Sequence, residues 1–452
     1  MPLTRWLAEY AWLPDHAEPT ADVLIEAEDG RFTAVTPLTG GDAPTTGVEV
    51  LTDAVRLPGL TLPGLANAHS HAFHRALRGR THGGRGDFWT WRDRMYDVAG
   101  RLDPDSYLAL ARATYAEMAL AGITCVGEFH YLHHGPGGTP YDDPNAMSAA
   151  LVEAAAQAGV RLTLLDACYL TASVDGRPLA GPQRRFGDGD AVRWGERVTA
   201  FTPAGGHARV GAAVHSVRAV PAEQLSTVAR WARDRDAPLH VHLSEQPAEN
   251  DACRAVHGCT PTRLLADRQV LGPATTAVHA THPTSADVGL LGESRTGVCL
   301  CPTTERDLAD GIGPARRMAD TGSPLSLGSD SHAVIDLFEE ARAVELDERL
   351  RTRRRGHFSP VELLTAATAG GHAALGWTDA GRLAVGDRAD LVTVRLDSAR
   401  TAGVPPVGAL FAATAADVTH VVVDGRTVVA EGRHRVVDVP AELGAAIAAV
   451  TP

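Results

Sequence analysis

The sequence predicts an α/β protein: a TIM-like (β/α)8 barrel carrying a small β-sandwich built from both chain ends. Three observations predict it. Strand-like and helix-like runs alternate through the middle of the chain. Polar residues fall where the apolar strand runs end, which in a parallel barrel is the face that carries chemistry. The surplus length lies at the two ends, and both read as short alternating β-runs. A doubly wound open sheet is the competing fold, but no GxGxxG turn follows an early strand. The expected division is a first sandwich portion over 1–60, the barrel over 61–380 and a second sandwich portion over 381–452.

Taken in order, Asp22–Ala27 and Arg31–Val35 alternate apolar and polar residues as half-buried strands do. The apolar run from Leu57 then leads into His69-Ser70-His71. Asp103 before Pro104 reads as a helix N-cap with Pro at the first helical position, and Gly122 as the stop. Asp143-Pro144 up to Gly159 repeats that device, and the strand-like Arg161–Leu165 follows. Leu239–Glu245, Thr276–His282 and Leu325–His332 each read as a short buried strand whose last residues face a site. Near the end, Asp424-Gly425 between two β-rich runs is a strong hairpin signal.

A net charge of −13 without basic clusters argues against nucleic acid or an anionic membrane as partner. There is no apolar span of the ~20 residues that crosses a bilayer, and the opening residues do not read as a signal peptide. Six cysteines over this length form neither a disulfide framework nor a CxxC pair. The expectations are a cytoplasmic protein, a small-molecule substrate and a homodimer. The chain has no lysine, so all 42 basic residues are arginine. A Walker-type phosphate loop and Schiff-base chemistry are thereby excluded. So is a carboxylated lysine bridging two metals, which favours a single-metal site.

The sharpest motif is His69-Ser70-His71. Alternate residues of a strand share a face, so two imidazoles at i and i+2 can converge on one metal ion. His242, with Glu245 three residues on, His279 and Asp330 sit at the ends of the other polar-tipped strands.

HxH after the first barrel strand, His242 with Glu245, His279 and Asp330 resemble the amidohydrolase superfamily over essentially the whole chain. The run Leu383–Leu391 is similar to that superfamily's closing sandwich segment. Within it, Ala68–Phe73, Phe88–Arg92, Glu128–Tyr131 and Val214–Val220 resemble the formimidoylglutamate deiminases, enzymes of histidine degradation. The resemblance implies hydrolysis of N-formimino-L-glutamate to N-formyl-L-glutamate and ammonia. It implies one Zn²⁺ per chain, with Fe²⁺ as the alternative, held by His69, His71, His242 and Asp330. Three imidazoles and a carboxylate suit that ion and leave room for water, which zinc acidifies to a pKa of about 7. Glu245 is then the proton shuttle. His279 holds the attacking water and the developing charge, and Asp330 serves catalysis as well as the metal.

Formiminoglutamate carries two carboxylates, so substrate capture needs cations. Arg218 offers a planar fork with His215 beside it, Tyr131 a hydroxyl, and Arg92 a place on a closing segment. His74 departs from the family pattern, standing where some members have Gln. An imidazole can still anchor a carboxylate, with a strength that depends on its protonation.

Other readings compete. A heterocycle deaminase acting on guanine, adenosine or a triazine would use the same metal shell with aromatic stacking in place of cationic anchors. A catalytically silent scaffold would usually have lost ligands. His130, His133 and His134 read as a solvated loop of histidines rather than a second metal site. Cys299 and Cys301 read as packing residues, as do Trp89 and Trp91. His282 and His332 receive no role.

Overall fold

The structure, a computed structural model, describes residues 2–38, 53–81 and 88–451, leaving out the side chains of Phe88 and Trp89. Among the described residues, four strands precede the barrel: β1 (Thr4–Ala11), β2 (Thr20–Glu28), β3 (Arg31–Pro37) and β4 (Val55–Pro63). The barrel strands are β5 (Leu65–Ser70), β6 (Ile123–His130), β7 (Arg161–Cys168), β8 (Ala208–Val214), β9 (Leu239–Leu243), β10 (Thr275–His279), β11 (Gly297–Leu300) and β12 (Leu325–Leu327). After it come β13 (Leu391–Val394), β14 (Val418–Val423), β15 (Arg426–Ala430) and β16 (Arg433–His434).

β5 to β12 pair in sequence order, and every pair is parallel. A parallel bridge between Ser70 and Asp330 joins the last strand end to the first and closes the cylinder. Gly328 permits that closure. A Cβ there would lie 2.7 Å from His69 Cβ and 2.9 Å from its carbonyl oxygen.

The two chain ends share one sheet in the order β16-β15-β14-β13-β4-β1-β2-β3. Trp6, Ile25, Phe32, Leu57, Leu391 and Val422 belong to its own small core. β4 runs past residue 60 to Pro63, still paired with β13, so the change of sheet falls at Gly64. A Cβ on Gly64 would meet Thr124 Oγ1 at 2.3 Å, so only glycine passes between the two units there.

Local signals account for most element ends. Asp103 caps Pro104–Leu120, accepting from Ser106 N at 2.8 Å, and Gly122 follows at φ 89°. Asp424 and Gly425, at φ 46° and 74°, turn β14 into β15. The second helix departs from expectation. It starts at Ala146 rather than after Asp143, because the Asp143 carboxylate accepts from Asn145 N at 2.9 Å and closes a turn before the helix. Its stop at Gly159, φ 74°, is the one expected. Among the described residues no helix is long and apolar enough to cross a membrane.

Candidate active site

Three strand ends converge at the carboxyl-terminal mouth of the barrel. β5 delivers His69 and His71, β9 delivers His242, and the turn after β12 delivers Asp330. The backbone there is held in unusual conformations: Ser244, His279, Asp330 and His332 all have positive φ, at 50°, 69°, 42° and 58°. For non-glycine residues that is stored strain, and it aims side chains inward that a regular strand would not.

His69 Nε2 lies 3.1 Å from His242 Nε2 and 3.2 Å from Asp330 Oδ1, and His71 Nε2 is 3.4 Å from that same oxygen. The opposite ring nitrogens explain the tautomers. His71 Nδ1 donates to the Phe129 carbonyl at 2.8 Å and His242 Nδ1 to the His215 carbonyl at 2.9 Å. Both Nε2 atoms are therefore lone pairs, and with the Asp330 carboxylate the cluster gathers more acceptors than the His69 proton can satisfy. In a buried site that is costly unless a cation lies between them, so the residues fit a metal ion. Burial, then the neighbouring His69, depresses His71 to about 3, so it stays a neutral donor of electron pairs. Burial pushes the Asp330 carboxyl up, but the hydrogen bond from His69 and the surrounding imidazoles outweigh it and hold it ionised.

His279 joins the group from β10. Its Nε2 is 3.8 Å from Asp330 Oδ2 and 3.9 Å from Glu245 Oε1. Burial lowers its proton affinity, but Glu245, Glu305 and Asp330 together raise it well above the ordinary value. Glu245 is raised chiefly by burial, opposed by His279 and Arg218. A carboxyl that holds its proton more tightly, beside a cationic imidazole, suits proton transfer near neutral pH.

The expected binding residues line one cavity with this cluster: His74, Arg92, Tyr131, His215 and Arg218, together with Trp91, Met95, Tyr96, Tyr169, Phe186 and Leu308. The helix Phe88–Ala99 presents Trp91, Arg92, Met95 and Tyr96 at helical spacing on one face. Arg218 Nε donates to Glu249 Oε2 at 3.2 Å. Burial would lower its proton affinity, but Glu249 and Glu245 raise it, so the guanidinium stays charged. His74 Nε2 and the Tyr131 hydroxyl are 2.9 Å apart, so two expected anchors bond each other. Burial, and then His71, push His74 well below 6.5, so it remains neutral and carries no protonation-dependent grip near neutral pH. His215 contributes through its backbone as well, by orienting His242.

The histidines of 130–134 are not solvated. His130, His133 and His134 are at most 5% exposed, because Asp166, Asp188 and Arg197 meet them in a buried ion-pair network. Cys299 and Cys301 are buried, and Trp91 packs edge-on to His74 at 5.0 Å between centroids; the Trp89 side chain lies outside the described residues. His332 bridges Ser70 and Ser329 behind the metal-type cluster, and His282 donates to the Asp310 carbonyl.

Sequence reasoning missed Glu249 and Glu305. Glu249 lies four residues past Glu245, one turn along the helix Pro247–His257, and it also accepts from Ser244 N at 2.9 Å. Glu305 lies just beyond β11, in the short helix Pro302–Asp307, where no histidine or metal-ligand spacing marks it in the sequence.

A family model described as "Amidohydrolase family" matches residues 60–428. The formimidoylglutamate deiminase of Pseudomonas aeruginosa is 39% identical over 443 residues, covering 94% of this chain and 95% of that protein. An 8-oxoguanine deaminase of the same species is 31% identical over 416 residues, covering 90% of each. A crystal structure of an amidohydrolase from Brucella melitensis superposes with a TM-score of 0.88 at 32% identity, over 99% of both chains.

Proposed function

The chain belongs to the amidohydrolase family and is a hydrolase acting on a C–N bond, and from that premise we propose that it deiminates N-formimino-L-glutamate to N-formyl-L-glutamate and ammonia. The observation that supports this substrate most directly is the placement of Arg218. Its charged guanidinium lines the same cavity as Glu245 and His279, which suits a substrate with an amidine at one end and carboxylates at the other.

His69, His71, His242 and Asp330 would hold the metal, with zinc as the ion and His279 outside the main shell. Such an ion supplies Lewis acidity and a more acidic water. Glu245 Oε1 takes a proton from the attacking water and gives it to the formimino nitrogen, then carries the remaining hydroxyl proton to that same nitrogen as the C–N bond breaks, so that water's oxygen stays on the carbon as the formyl C=O and nitrogen leaves as ammonia. His279 Nε2–H, facing the same space, stabilises charge developing at that carbon's substituents. Arg218 holds one carboxylate, with His215 beside it; Arg92 and the His74–Tyr131 pair bound the other end. On this reading the protein works in histidine degradation, in the cytoplasm, as a homodimer. The expected domain limits are refined to a change of unit at Gly64.

A second reading rests on a different observation. Five aromatic side chains, Trp91, Tyr96, Tyr131, Tyr169 and Phe186, line the cavity and would stack on a purine or triazine. An ammonia-release assay across formiminoglutamate, formiminoaspartate, guanine and adenosine separates the two. Formiminoglutamate should give the highest kcat/KM, and Arg218→Met should lower it by ~10²-fold or more, because a carboxylate left unpaired in a closed site costs several kcal/mol. Preferred turnover of a heterocycle, unaffected by Arg218→Met, would replace the proposal with the second reading.

A further inference from the structure

We infer that Glu128 is the positioning residue that sets the aim of His71 into the metal-type cluster. The inference rests on the reading of His69, His71, His242 and Asp330 as metal ligands.

The regular strand ends one residue too early to aim His71. β5 stops at Ser70, a 3-10 helix (Ala72–Leu77) starts at Ala72, and His71 stands between them at φ −128° and ψ 93°. The register with β6 also shifts between Asn67 and Ser70, so the two-residue repeat is interrupted inside the motif itself. The turn has to be fixed from outside β5.

β6 fixes it residue by residue. Glu128 Oε2 accepts from Ser70 Oγ at 2.8 Å and Glu128 Oε1 accepts from Ala72 N at 2.7 Å, one bond on each side of His71. The next residue, Phe129, accepts from His71 Nδ1 at 2.8 Å through its carbonyl. Ser70, His71 and Ala72 are thus held by two neighbours on one strand. Gly127 lets β6 come this near, since a Cβ there would lie 2.7 Å from the Ala68 carbonyl oxygen. Glu128 itself is fully buried. Burying a carboxyl costs free energy that an apolar side chain in the same space would not, and here both of its oxygens are engaged by the residues that flank His71.

Glu128→Gln is the test, because the amide keeps the size but has one acceptor oxygen where the carboxyl has two, and so cannot take both bonds. Zn²⁺ affinity is read by competition with a chelator, and coordination geometry by the visible spectrum of the Co²⁺-loaded protein; neither readout needs a substrate. Glu128→Gln should weaken zinc binding by ~10- to 100-fold, the range for residues that hold a metal ligand from behind, and should shift the cobalt bands. Ser70→Ala removes one of the two bonds and leaves the carboxyl in place, so it should give a smaller loss of the same sign. Arg197→Met is the control for a merely structural role: it strands the buried carboxylates of Asp166 and Asp188, and should lower the urea midpoint while leaving zinc affinity and cobalt bands as in the wild type. A folded Glu128→Gln with wild-type affinity and bands would overturn the inference, as would equal losses in Arg197→Met. Should Glu128→Gln not fold, Ser70→Ala carries both readouts on the same terms. A wild type that takes up no zinc would overturn the ligand set and this inference with it, a result distinct from equal affinity in wild type and variant.

Discussion

His69, His242, His279 and Asp330 form one buried cluster; His130, His133 and Asp166 form another, and in each the metal-type atoms lie within 4.8 Å of one another. Proximity therefore does not separate them. Donor supply does. In the second cluster Arg197 donates to both oxygens of Asp166 at 2.7 and 2.9 Å, Trp194 Nε1 adds a bond at 2.9 Å, and His133 Nε2 donates to the Ala167 carbonyl at 3.0 Å. A guanidinium already occupies the place a cation would take. In the first cluster no arginine intrudes among the described residues, and the inward-facing ring nitrogens of His71 and His242 are lone pairs. Two groups with the same residue types thus differ in what they offer a cation, because in one a guanidinium and an indole N–H already satisfy the carboxylate and the other leaves acceptors facing a common point.

The comparison breaks most visibly at Asp330. Asp330→Ala should abolish both metal binding and turnover, whereas the wild type should hold close to one tightly bound ion by elemental analysis. Two strongly bound ions per chain would mean that the second cluster also binds metal.

At Arg197 the expected loss is of stability. Arg197→Met strands two buried carboxylates, Asp166 and Asp188, and should cost ~3–5 kcal/mol in urea unfolding while leaving metal content and kcat of the folded fraction intact. A wild-type unfolding midpoint would show that the network is not structural.

Glu245→Gln sharpens the contrast from the other side. It should keep metal and fold, with kcat lower by ~10²-fold or more, as for loss of a general acid–base group. Near wild-type kcat would remove Glu245 from proton transfer.

The smallest effect is graded with pH. Burial, and then Arg197, lower His133 from 6.5 to about 4. The unfolded chain binds a proton there below pH 6.5 while the folded chain stays neutral down to about 4, so stability falls as pH falls across that window, by ~1 kcal/mol per unit for this group alone. Urea midpoints of His133→Gln and wild type, compared between pH 7 and pH 5, should converge toward the acid end. A constant gap would place the proton elsewhere.

Much of this was legible without coordinates. Strand–helix alternation, the capping of Pro104–Leu120 and the Asp424-Gly425 turn are local features, determined by side chains within a few residues of one another. His69 and His71 could be paired because a strand repeats every two residues. What the sequence by itself determined is therefore the order of elements and the chemical types offered at their ends. Only the tertiary structure decided which of those types meet. It buried His130, His133 and His134 against Arg197, and it turned His74 onto Tyr131, depressing its proton affinity by burial. It also brought Glu249 to Arg218 and Glu305 to His279. Each of these depends on contacts between strands far apart in the chain, and on the desolvation that follows, and neither quantity is carried by any local spacing of residues.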